Sequence, residues 1–456
     1  MPDSNPTAAA LLAQPLTLPN GTVLKNRLAK SALSEALCGH DGRVTPQLIA
    51  LYRRWSGSGA GLLVTGNVMI DGKALGEPGN VVIEDDRDLP RLREWAAAAK
   101  AHGSEIWMQI NHPGKQAMRG LNEETVAPSA IGFGPKLSPY FAVPRALTVD
   151  EIDALIRRYG TTAAVAQQAG FTGVQLHGAH GYLINQFLSP QHNQRTDEWG
   201  GSAENRRRFV LAVYAEVRRR VGPDFPIGIK LNSADFQRGG FTEEESLDVI
   251  RALAEAGIDL IEISGGTYET PVMQLGDRKA STIAREAYFL AFAEKVRADV
   301  KVPLMVTGGF RSLAGMEAPL RDGALDLIGL GRILAIEPDA PARLLRGEET
   351  RHRVKPLSTG VKYFDSLGSL EVTWYTRQLH RIGKGRNPIP DENALKSFLL
   401  DLSSKGCAIF KARRLRASSS EASGRAGFGD VGRRRPAARC ALSGATRLAQ
   451  RRRPAE

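Results

Sequence analysis

The chain has 456 residues, of which 42% are hydrophobic, and a formal net charge of +12. Its length exceeds the roughly 250 to 300 residues at which a single core stops growing, so one large domain with insertions or two domains are expected; no apolar run reaches the roughly 18 residues that a membrane-spanning helix needs, and three cysteines (Cys38, Cys407, Cys440) cannot build a disulfide framework or a four-thiolate cluster. The charge is local: residues 405–456 hold 14 Lys and Arg against three acids, a net of +11 that leaves about +1 for residues 1–404, so the body carries no general signal for nucleic acid or anionic membrane.

In chain order, the opening MPDSNPTAAALLAQ lacks the basic start of a secretory signal, and a cytoplasmic location is expected. From residue 26 onward short apolar runs alternate with longer helical patterns. The predicted strands are Leu28–Ala32, Gly61–Asn67, Glu105–Ile110, Val174–His177, Ile227–Asn232, Leu260–Ser264, Pro303–Gly308 and Leu327–Arg332. Between them the pattern predicts helices over Pro46–Gly57, Leu89–His102, Asp150–Ala169, Ala203–Val221, Thr242–Ala256, Ala284–Ala298 and Ser312–Arg321. Thr148 with Glu151, and Thr242 with Glu245, have the spacing of capping boxes. Eight strands in alternation with helices predict an α/β fold, a (β/α)8 TIM barrel over residues 1–354. The competing doubly wound sheet would carry a Gly-x-Gly-x-x-Gly turn after its first strand, and the sequence has none there.

In a barrel, functional groups gather at the C-terminal ends of the strands. Strand one delivers Ser31, Ala32, Leu33 and Ser34, and strand three delivers Gln109, whose amide can pair with a ring carbonyl and N–H together. The Gly- and Pro-rich stretch 111–147 that follows is expected to roof the site. Strand four ends at His177, with His180 and Tyr182 just beyond. That spacing leaves three readings open: two N–H donors beside a phenolic proton, a zinc pair, or a hydrogen-bonded structural pair. Strand five carries Lys230, able to stabilise an anion spread over a ring or to form an ion pair in the barrel mouth. Strands seven and eight end in Gly308-Gly309 and Gly331-Arg332, where backbone N–H groups and a guanidinium can hold a phosphate. A phosphate there, with an amide and a lysine across the mouth, fits flavin mononucleotide (FMN) better than a dinucleotide.

Residues 355–404 read as a C-terminal helical extension packing on the barrel or on a neighbouring subunit through Tyr363, Phe364, Leu367, Leu370, Trp374 and Leu379. Residues 405–456 read as a disordered basic tail, and the break in composition is abrupt enough to suggest a shifted reading frame.

The segments HGAHGYLINQFLSPQHNQRTDEWGGSAENRRRF, WMQINHPGKQ, VTGGF and GLGR resemble the Old Yellow Enzyme family of FMN-dependent NAD(P)H oxidoreductases, over about residues 12–404. The resemblance implies that Gln109 binds the flavin pyrimidine edge, that Lys230 sits near N1 and O2 where many relatives carry arginine, and that Ser34 bonds O4 where relatives carry threonine or cysteine. Gly66 would approach the ring through its backbone, while Gly309, Gly331 and Arg332 would hold the phosphate. His177 and His180 would grip a substrate carbonyl oxygen and Tyr182 would donate the proton. The implied reaction is ping-pong: NADH or NADPH reduces FMN, then the C=C bond of an α,β-unsaturated carbonyl compound takes hydride at Cβ from flavin N5 and a proton at Cα from Tyr182. No metal and no membrane partner are expected, and a homo-oligomer is possible. The rival readings are a nucleic-acid-associated barrel or binder using the tail, and a zinc hydrolase built on His177 and His180, against which the lack of acidic ligands in HGAHGY counts.

Overall fold

The computed structural model describes residues 7–267, 289–354, 357–360 and 370–400. All eight predicted strands form: β1 (Leu28–Lys30), β2 (Leu62–Val64), β3 (Glu105–Asn111), β4 (Gly173–Gly178), β5 (Ile227–Asn232), β6 (Leu260–Ser264), β7 (Leu304–Thr307) and β8 (Leu327–Leu330). Every consecutive pair is parallel, and β8 returns to β1 with Ile328, Gly329 and Leu330 opposite Leu28, Ala29 and Lys30. That last pairing closes the sheet into a barrel and excludes the open alternative.

Seven helices follow the first seven strands: α1 (Pro46–Ser56), α2 (Leu89–Lys100), α3 (Val149–Gln168), α4 (Ala203–Val221), α5 (Glu243–Glu255), α6 (Leu290–Asp299) and α7 (Leu313–Arg321). Both capping boxes are present: Thr148 accepts from the Glu151 N–H while the Glu151 carboxylate takes the Thr148 N–H, and Thr242 and Glu245 do the same. The helix expected over 284–298 runs Leu290–Asp299, and residues 284–288 lie outside the described residues. After β8 come a single turn (Ile333–Ile336), α8 (Ala340–Leu345) and α9 (Leu370–Gly383). No helix among the described residues is long and apolar enough to cross a membrane.

Side chains inside the barrel come in layers, as period-two strands require. The lower layer is apolar: Ala29, Leu62, Trp107, Leu260, Met305 and Leu327 cluster with Leu16, Leu18 and Leu24 of an N-terminal hairpin that covers this end. Trp107 fits because its neighbours on β4 and β5 are glycines: a Cβ on Gly173 would meet its ring at 2.5 Å and one on Gly228 at 2.7 Å. The layer above is polar. Gln109 Nε2 donates to Gln175 Oε1 (2.8 Å), Gln175 Nε2 donates to Glu262 Oε2 (2.7 Å), and Glu262 Oε1 accepts from Lys230 Nζ (2.8 Å) and Thr307 Oγ1 (2.6 Å). With Glu262 and Gln175 fully buried, these mutual bonds replace the water that the groups lost.

Helix α9 packs across the top of α1. Its buried face includes Leu370, Trp374, Leu379 and Ile382, and the Trp374 indole N–H donates to the Glu392 carbonyl (2.9 Å). Tyr363, Phe364 and Leu367, together with residues 405–456, lie outside the described residues.

Candidate active site

Above the polar layer lies a cavity of about 360 Å³. Of the residues singled out from the sequence, the fold brings Ala32, Leu33, Ser34, Gln109, His177, His180, Tyr182, Lys230, Gly308, Gly309, Gly331 and Arg332 to its wall. Two are not on the wall. Ser31 lies in the polar layer, bonded to Thr307 Oγ1 (2.6 Å), and Gly66 sits behind the wall with its N–H on Glu35 Oε1 (3.1 Å). Among the described residues no part of 111–147 lines the cavity, contrary to the expected roof. That stretch folds alongside, tied by its own Val126–Ala127 and Arg145–Ala146 ladder, and touches the wall from behind: Gln116 donates to the His180 carbonyl (2.9 Å) and Asn111 Nδ2 lies 3.5 Å from Asn67 Oδ1. The outer wall is formed instead by Thr350, His352, Arg353 and Val354 and by Glu371, Val372, Tyr375, Thr376 and Leu379 of α9.

The loop after β4 is tightly specified. His180 has φ +62°, a conformation costly for a residue with a Cβ. It persists because Asn232 Oδ1 accepts the His180 N–H (3.1 Å), Asn185 Oδ1 accepts the Gly181 N–H (2.6 Å), and Asp235 Oδ1 accepts from the side-chain amides of both Asn185 and Asn232 (3.1 Å each). The loop therefore presents a fixed constellation. His177 Nδ1 is 2.9 Å from Asn67 Oδ1, His177 Nε2 is 3.2 Å from His180 Nδ1, and His180 Nε2 is 2.7 Å from Ser264 Oγ. The Tyr182 ring centroid lies 4.7 Å from that of His177. Burial, then the neighbouring His180 and the positive Lys230, hold the His177 imidazole well below the usual histidine range; burial and Lys230 bring His180 down to about 3. Both rings are neutral at pH 7. Among the described residues no three His, Cys, Asp or Glu side chains converge as a metal site would require.

Another part of the wall combines glycine backbone with a guanidinium. Gly308 and Gly309 have φ of +108° and +96°, which leaves their backbone bare toward the cavity. Arg332 pairs with Glu371 of α9 and lies 5.9 Å from the Tyr375 ring centroid. Ser34 donates its hydroxyl to Glu77, and its carbonyl accepts from Thr376 Oγ1 (2.9 Å). Behind Ser34 a buried group holds the β1 loop: Lys30 Nζ donates to the Val64 carbonyl (2.6 Å), lies 3.5 Å from Glu35 and sits over the Trp55 ring (4.4 Å). Burial, partly offset by Glu35, brings the Lys30 pKa down to about 8.

Residues 11–351 match the model of the NADH:flavin oxidoreductase / NADH oxidase family. The chain belongs to that family. It is 35% identical to the NADH-dependent flavin oxidoreductase iliE of Hypocrea jecorina, over 80% of this chain and 94% of the relative. Among solved structures, the Old Yellow Enzyme homologue from Zymomonas mobilis superposes with a TM-score of 0.64 at 25% identity, covering 75% of this chain and 94% of that one. Morphinone reductase superposes with a TM-score of 0.63 at 26% identity, covering 77% and 92%. This NADH:flavin oxidoreductase is thus an FMN-dependent, NADH-linked enzyme of the Old Yellow Enzyme type. Its cavity has the donor set that FMN requires: an amide and an ammonium at the Gln109–Lys230 end, and bare backbone with a guanidinium at the Gly308–Arg332 end.

Asn67, Ser264, Gln175 and Glu262 went unread in the sequence. Gln175 and Glu262 carried a signal, each being a polar residue flanked by apolar neighbours in mid-strand, at an inward position. Nothing in the pattern of α9 tied it to the barrel mouth.

Proposed function

We propose that this oxidoreductase reduces the C=C bond of α,β-unsaturated carbonyl compounds with electrons from NADH. Bound FMN supplies the redox chemistry, accepting hydride from the nicotinamide and passing it to the second substrate. Gln109 and Lys230 are assigned to the flavin pyrimidine end, Ser34 to the adjoining edge, and Gly309, Gly331 and Arg332 to its phosphate. In this reading Gly66 acts indirectly, through the loop residues next to it, and Ser31 supports the floor.

The observation that carries the proposal is the convergence of His177 Nε2 and His180 Nδ1, 3.2 Å apart on the cavity wall, with Tyr182 beside them. An oxygen placed between those nitrogens receives hydrogen bonds that strengthen as it gains negative charge, the kind of contact whose loss costs about 10² to 10³ in rate. Because both rings are neutral, they stabilise the oxyanion as aligned N–H dipoles, with the Lys230 ammonium, paired to Glu262, close by. Tyr182 then offers its phenolic proton to the carbon that must be protonated. The pocket is deep enough that its 7%-exposed Tyr182 is shielded from bulk water.

The test is anaerobic. Purified enzyme with FMN bound is bleached by NADH and then mixed with cyclohexenone, a saturated ketone or oxygen. Reoxidation by cyclohexenone, with the saturated ketone inert, supports the proposal; reoxidation by oxygen alone removes it.

A further inference from the structure

The two imidazoles belong to a four-member chain, Asn67–His177–His180–Ser264, whose contacts are 2.9, 3.2 and 2.7 Å. A neutral imidazole carries one N–H and one lone pair, so the chain has a direction. With Asn67 Oδ1 as acceptor, His177 must hold its proton on Nδ1, His177 Nε2 accepts from His180 Nδ1–H, and His180 Nε2 accepts from the Ser264 hydroxyl. Every link is satisfied, but only one of the two facing nitrogens, His180 Nδ1, bears a proton.

An oxyanion seated between those nitrogens needs both as donors. His180 already qualifies, because Ser264 can donate to its far nitrogen. His177 qualifies only if its proton lies on Nε2, which leaves Nδ1 as an acceptor and requires a donor where Asn67 Oδ1 now stands. An asparagine amide rotated by half a turn presents its NH2 from the same place. The neighbouring side chain permits this: Asn111 is fully buried, reaches Asn67 Oδ1 only at 3.5 Å through Nδ2, and its Oδ1 has no partner among the described residues. If both amides rotate, Asn111 Oδ1 takes over the contact to Asn67 and one Asn111 atom again lacks a partner, so the two arrangements carry a similar penalty.

We propose that Asn67 is the positioning residue that selects the His177 tautomer: its amide accepts in the empty site and turns to donate when an oxyanion binds, leaving His177 and His180 as two convergent N–H donors. One proton leaves Nδ1 and one arrives at Nε2 by exchange with water, so charge is conserved. The proposal rests on the reading of this pair as the oxyanion subsite.

The test uses FMN-loaded enzyme with ¹⁵N-labelled histidine, His177 being assigned by loss of its signals in His177→Gln. The expected spectrum shows His177 protonated at Nδ1 without ligand and at Nε2 with p-nitrophenolate, a flat oxyanion. In Asn67→Asp, whose carboxylate only accepts, Nδ1 keeps its proton with the phenolate bound. Asn67→Leu, which neither accepts nor donates, binds the phenolate about ten-fold or more weakly, the factor expected for losing the support of a hydrogen bond to a charged group. A wild-type complex with His177 still protonated at Nδ1 overturns the proposal, as does equal phenolate affinity in Asn67→Leu. Failure of the wild-type enzyme to bind phenolate at all overturns the oxyanion subsite itself, and the role of Asn67 with it.

Discussion

Burial, with the positive charge of Lys230 as a smaller contribution, keeps His177 and His180 uncharged. Neither ring is then an acid at neutral pH, and in the proposed reaction the proton that completes reduction of an alkene is assigned to Tyr182. Tyr182→Phe removes that proton and keeps the aromatic ring beside His177. Oxidation of the reduced flavin by cyclohexenone should slow by about 10² to 10⁴, while stopped-flow reduction by NADH continues at close to the wild-type rate. Equal loss in both half-reactions would leave Tyr182 a structural role only. The histidine and tyrosine trio was legible because one strand end and its loop carry all three. Asn67 and Ser264 were not: Asn67 meets His177 across 110 positions of sequence, and only the closed barrel puts their strand ends face to face.

The helices and strands were legible wherever local chemistry decides them. Thr148 and Thr242 announce their helices by capping, and alternation places inward residues on each strand. What the sequence did not disclose is which peripheral segment walls the cavity. The Gly- and Pro-rich stretch 111–147 looked like a roof by composition, yet the described wall is made by α9, whose amphipathic pattern speaks only of packing. Helix α9 also steadies the β1 loop: Thr376 Oγ1 donates to the Ser34 carbonyl, and His380 Nε2 donates to the Glu35 carbonyl (2.9 Å). Packing of this helix and shape of the site are therefore one property. Trp374 is 2% exposed, and Trp374→Ala should cost about 3 to 5 kcal/mol of stability. Because the same helix brings Tyr375, Thr376 and Leu379 to the wall, that variant should also bind FMN more weakly. Denaturant titration and flavin fluorescence quenching measure the two effects; lost stability with unchanged FMN affinity would separate α9 from the site.

For the molecule as a whole, burying neutral histidines links stability to pH. His112, His177 and His192 are each no more than 4% exposed. Burial brings His112 down from 6.5 to about 4, and burial with the Lys115 charge brings His192 down from 6.5 to about 3. Between pH 6.5 and those lower values the unfolded chain takes up protons that the folded chain refuses. Stability from this source is complete above pH 6.5 and declines on acidification. At pH 5 the loss is about 2 kcal/mol for each of His112 and His192, from roughly 1.36 kcal/mol per pH unit, a large share of the ~5 to 15 kcal/mol that holds a domain folded. Buried carboxyls such as Glu35 and Asp235, which burial pushes upward, act in the opposite sense, so the total slope does not isolate the imidazoles. A single substitution does. His192 Nδ1 is 3.0 Å from Lys115 Nζ, and an asparagine can accept that bond without titrating. Denaturation of the FMN-loaded enzyme at pH 7 and at pH 5 should show His192→Asn losing about 2 kcal/mol less than the wild type over that interval. An identical pH dependence in the two proteins would mean that His192 is not held neutral in the fold.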